Sequence, residues 1–80
     1  MKYIIFEDFA GEATPVIFPG RIAFDEIREQ IPYTRVLSGG SVSLDQGAVR
    51  CREQANELGL VPREDDSRII TEHLTLRVKS

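Results

Sequence analysis

Ser41, Ser43, Arg50 and Arg52 lie at alternate positions on either side of Gln46-Gly47. Alternate side chains of an extended chain share one face. Two guanidinium forks beside two hydroxyls could meet phosphates or the carboxylates of an acidic protein. The plainer role for such a face is solvation of an edge strand, which keeps it from aggregating. No aromatic residue is interleaved there, which disfavours stacking on single-stranded RNA.

The face requires a hairpin. With Gln46-Gly47 at the centre of a two-residue turn, Asp45 faces Ala48, Leu44 faces Val49 and Val42 faces Cys51. The apolar residues then fall on one side, and Ser43/Arg50 and Ser41/Arg52 on the other. A slip of one residue would bury the arginines, so the sorting itself sets the register. Gln is not the usual first residue of such a turn, and a longer loop with Gly47 in a left-handed conformation is the alternative. Gly39-Gly40 marks a bulge or a close backbone approach, with a bulge beneath the first helix preferred.

The remaining reactive residues assemble no catalytic set. "SGG" is followed by strand-like sequence, with neither the lysine of a P-loop nor a helix start, so it does not read as a nucleotide loop. Asp25, Glu26 and Glu29 share a helix surface but read as a solvated face. Glu64, Asp65 and Asp66 read as helix-start acids. There is no D-x-D-x-D-G calcium loop and no G-x-S-x-G elbow around the serines. Cys51 stands alone and reads as a small buried hydrophobe, and His73, the single histidine, as a packed or surface residue. Catalytic residues, cofactors and metal ligands are therefore all assigned as none.

The elements follow from pattern. "KYIIFEDF" is a strand with Tyr3 and Ile5 on one face and Ile4 and Phe6 on the other, as in a strand covered on both sides. "AGEA" turns the chain into "TPVIF", where Pro15 marks an edge or a strand start. "AFDEIREQI", 23–31, places Phe24, Ile27 and Ile31 at helical spacing, and Pro32 stops it. Residues 54–62 fit either one helical turn closed by Gly59 or an extended loop. "PREDDSRIITEHL" is a second helix, with Ile69, Ile70 and His73/Leu74 as its buried stripe. "LTLRV", 74–78, alternates and reads as a last short strand.

The 80 residues make one domain, 1–80. A chain this short buries only about 60% of its unfolded surface, so its core is thin and a homo-oligomer would add buried area. The net charge of −3 is unlike the basic balance of a free-standing DNA binder. The opening apolar run of four residues is too short for a signal peptide or a membrane span, which places the chain in the cytoplasm.

The order "KYIIFED", "PVIFP", "FDEI", "VLSGG", "DQGAVRC", "LGLVPREDD" resembles a group of small proteins encoded by bacteriophages and prophages. The group opens with a similar strand and a "PVLFP"-like second strand. A "DEM"-like helix, a Ser-x-Gly segment, a Gly turn before Val-x-Cys and a Leu-Gly before an acidic helix start follow. The likeness spans roughly residues 2–70 and departs most at 53–58, where the group carries an extended "GES.SLG" and this chain "EQANELG". The resemblance implies no activity and carries over no site residue.

The expectation is an α+β domain of order β-β-α-β-β-α, with a mainly antiparallel sheet of about four strands and the helices packed on one face. The functional expectation is a non-enzymatic phage or prophage accessory protein acting through a protein partner in a bacterial host cell. The alternative is a nucleic-acid binder using Ser41, Ser43, Arg50 and Arg52, which the net charge makes less favoured. A metal-dependent hydrolase or nuclease ranks last.

Overall fold

The first strand, β1 (Lys2–Glu7), is apolar on both sides, and the rest of the chain is arranged to cover both. The computed structural model describes residues 1–31, 34–56 and 58–79, with side chains of the last helix as far as Leu74. Next come β2 (Ala13–Phe18), α1 (Phe24–Gln30), β3 (Arg35–Asp45), β4 (Ala48–Arg52) and α2 (Asp66–Lys79). The sheet order is β2-β1-β3-β4, antiparallel throughout. The domain is α+β with the element order read from sequence.

The two helices do not share a face. Tyr3 and Ile5 form one core with Val42 and with Ile70 of α2. Ile4 forms the other with Phe18 and with Phe24 of α1. The expectation of helices on one face fails because β1 exposes two apolar surfaces, and each needs its own cover. Complete burial of an aliphatic side chain such as Ile4 or Ile5 contributes about 1.5–3 kcal/mol. On the α1 side Phe18 and Phe24 meet edge to face at 5.5 Å, with the Lys2 ammonium 5.1 Å from the Phe24 ring.

α1 ends at Gln30, with Arg28 donating to the carbonyls of Ile31 and Thr34 at 2.8 and 3.0 Å. The proposed stop at Pro32 lies outside the described residues. The β3–β4 register is the one derived above, from Ser41↔Arg52 to Asp45↔Ala48. Its turn has φ +53° at Gln46 and +83° at Gly47, the two-residue form with both centres left-handed.

The bulge and the glycines separate. The β1–β3 register shifts so that Ile5 pairs with Ser38 and Phe6 with Val36, which leaves Leu37 as the extra residue. Gly39 and Gly40 instead admit the segment 60–62. The Gly39 N–H lies 3.5 Å from the Val61 carbonyl. A β-carbon at Gly39 would come within 2.9 Å of Leu60 Cδ1, and one at Gly40 would collide with the Arg52 carbonyl oxygen. This passage carries the chain from Leu60 in the α1-side core to α2 on the opposite face.

Asn56 ties Gln54 to Leu60. Its side chain donates to the Gln54 and Leu60 carbonyls and accepts from the Leu60 N–H. Gly59 sits at φ +69°. The expected strand at 74–78 is helix instead, because α2 continues to Lys79. "LTLRV" alternates, but no Gly or Pro follows Leu74 to stop the helix.

Candidate functional site

The four residues singled out from sequence do lie on one face of the β3–β4 hairpin. Ser41 is half-buried, and Ser43, Arg50 and Arg52 are exposed. The serines do not hold the arginines. Arg50 Nε instead pairs with Asp45 Oδ2 at 3.2 Å, an exposed contact of small value. The Arg52 side chain has no hydrogen-bond or ion-pair partner among the described residues. This face lies on the α1 side, but β4 contributes nothing to the α1-side core.

The opposite side of the hairpin holds Val42, Leu44, Val49 and Cys51. α2 is fastened beside it by a network that was not evident in the sequence. Asp66 is fully buried. Its carboxylate accepts from Tyr3 Oη at 2.5 Å, Ser38 Oγ at 2.8 Å and the Arg63 backbone N–H at 2.9 Å. The last bond reaches three residues back at the helix start, half of a capping box. Arg63 Nε lies 3.7 Å from the same carboxylate, as an ion pair rather than a hydrogen bond. Asp66 is the helix-start acid that the run Glu64-Asp65-Asp66 indicates. Its burial is the new feature, because the buried Tyr3 hydroxyl needs an acceptor inside the fold. No buried side-chain polar atom is left unpaired among the described residues.

This network is structural. Burial first, and the Asp66 hydrogen bond second, push the Tyr3 phenol far above its ordinary range, so Tyr3 stays a donor. Burial also pushes the Cys51 thiol up; the Tyr3 hydroxyl opposes the shift and the Asp66 charge adds to it. A raised thiol is a poor nucleophile. His73 faces the β2 side with Thr14 and Pro15, at the opposite edge of the sheet from Cys51. Among the described residues no three His, Cys, Asp or Glu side chains converge on a metal position. Among the described residues no helix is long and apolar enough to cross a membrane.

Two depressions flank β4. An open cleft of about 390 Å³ runs between β4 and the start of α2, bordered by Arg50, Cys51, Arg52, Pro62, Arg63 and Glu64. An apolar groove of about 570 Å³ lies under the hairpin tip, lined by Met1, Val42, Leu44, Val49, Ile70 and Leu74. Met1 and Leu44 are 64% and 67% exposed. Val49 borders both depressions, so the apolar and basic surfaces are continuous. The chain matches no family model, no curated protein and no solved structure.

Proposed function

We propose that this chain is a non-enzymatic protein-binding module, a phage or prophage accessory protein that engages a protein partner in the bacterial cytoplasm. The observation that carries this reading is the apolar groove, where Leu44 and Met1 stand open to solvent beside Val42, Val49 and Ile70. Contiguous exposed apolar surface of this kind marks interaction sites. The resemblance to small phage and prophage proteins supports the setting. The raised Cys51 thiol and the distant His73 support a role without catalysis.

The test is capture of partners by the tagged chain, with and without nuclease, set beside Leu44→Asp. The expected result is a protein that survives nuclease and is lost with Leu44→Asp. Capture that disappears on nuclease treatment contradicts the reading. So does an eluate holding only a second copy of the chain. Nucleic-acid binding is the second reading, favoured by the unpartnered Arg52. It requires salt-sensitive binding that falls when Arg50 and Arg52 become Ala. It ranks lower because Asp45 already engages Arg50 and the net charge is −3.

A further inference from the structure

β4 is the outermost strand of the sheet, and among the described residues its backbone bonds only to β3. The pairing determines which of its groups are unused. In a two-residue hairpin the residues flanking the turn form a hydrogen-bonded pair, and the pairs then alternate. Asp45↔Ala48, Ser43↔Arg50 and Ser41↔Arg52 are therefore hydrogen-bonded pairs, while Leu44↔Val49 and Val42↔Cys51 are not. The Val42 N–H confirms the phase, since it turns away from β4 and donates to the Met1 carbonyl at 2.8 Å. It follows that Val49 and Cys51 direct their N–H and C=O groups outward, along the open cleft.

The side chains of this edge are sorted as well. Val49 and Cys51 point to the apolar side, and Arg50 and Arg52 to the other. A strand added to this edge would place its own side chains opposite those of the same face. A second copy of the chain is a poor occupant. Antiparallel self-pairing centred on Arg50 or Cys51 juxtaposes arginines, and centring on Val49 sets Arg50 against Ala48 and Arg52 against Gln46, which leaves both guanidinium groups without an acidic partner.

We propose that the β4 edge takes up an extended acidic segment of the partner as an added strand, a proposal that rests on the protein-binding reading above. Carboxylates at alternate positions meet Arg50 and Arg52. The apolar residues between them lie beside Val49 and Cys51. The backbone of the segment bonds to the outward groups of Val49 and Cys51, in the strand-addition mode of peptide recognition. Arg50 is available because its pair with Asp45 is exposed and weak. The segment displaces Asp45 from Arg50 and lies beside Glu64, which borders the cleft.

The test uses the full chain and a short blocked peptide alternating valine and glutamate, followed by amide chemical shifts and hydrogen exchange. The expected result is binding that protects the Val49 and Cys51 amides. Affinity should fall about tenfold or more in the Arg50→Glu/Arg52→Glu variant, and that variant should gain affinity for a valine–lysine peptide. Circular dichroism of the variant checks that it folds. The proposal is overturned if the peptide does not bind the wild-type chain. Equal binding to the charge variant, or protection that avoids Val49 and Cys51, overturns it too. A single-stranded oligonucleotide that outcompetes the peptide at these amides would reassign the edge to nucleic acid. If the peptide fails while capture remains sensitive to Leu44→Asp, the edge proposal falls and the groove reading stands.

Discussion

Tyr3 and Asp66 are 63 positions apart in the chain, yet the Tyr3 hydroxyl donates to the Asp66 carboxylate at 2.5 Å. One residue lies in the second position of the central strand, the other at the start of the last helix. Their bond, with Ser38 as the second hydroxyl donor, fixes α2 over the face that carries Tyr3, Ile5 and Val42. The wall of the apolar groove formed by Ile70 and Leu74 depends on that placement.

Replacing Asp66 by Ala should therefore be costly. It strands the Tyr3 and Ser38 hydroxyls and the Arg63 N–H in a buried site. The expected loss is about 2–4 kcal/mol, read by urea denaturation. A loss below about 1 kcal/mol would mean that the network does not fasten the helix.

Tyr3 gives the fold an alkaline limit. The unfolded phenol loses its proton near its ordinary value of 10.0, and the buried one holds it to higher pH. Above that value the unfolded chain binds fewer protons than the folded one, so stability falls as pH rises. The stabilisation is complete below pH 10.0 and is lost above it. Tyr3→Phe should lower stability at neutral pH by about 1–2 kcal/mol and flatten this alkaline decline. An unchanged alkaline slope in the variant would contradict the assignment.

Gly40→Ala should destabilise by about 2 kcal/mol or more, because its β-carbon meets the Arg52 carbonyl oxygen and lies 3.1 Å from Pro62 Cγ. Gly20→Ala is the control. Among the described residues nothing beyond its chain neighbours lies within 4 Å of its added carbon, and its effect should stay within about 0.5 kcal/mol. Equal melting shifts for the two variants would remove the close-approach role of Gly40.

Cys51 should react slowly. Half-buried and with a raised thiol, it is expected to alkylate about tenfold more slowly at neutral pH than a cysteine in an unstructured peptide. A rate matching the free peptide would show that the hairpin does not shelter it.

Where the sequence pattern was local, it was readable. The alternation of Val42, Leu44, Val49 and Cys51 with serines and arginines allows one register, and β3–β4 adopts it. The two-sided apolar pattern of β1 marked it as central. The same pattern calls for a cover on each face, and α1 and α2 supply one each. The tail at 74–78 misled because five alternating residues fit a strand as well as a helix already under way from Asp66. The Asp66 network could not be read, since nothing local links an acid in "REDDS" to a tyrosine near the first residue. The groove was hidden for the same reason: Met1, Leu44 and Ile70 meet only in the fold.

The most direct measurement is site-specific photocrosslinking in the bacterial cells that carry the protein. A photoreactive side chain is placed at Leu44 in the groove, and separately at Glu26, exposed on α1 at the other face. The expected result is a crosslink from position 44 to a different protein, with none from position 26. Crosslinks from position 44 only to nucleic acid or to another copy of the chain, or equal labelling from both positions, would contradict a protein-binding groove at the β3–β4 hairpin.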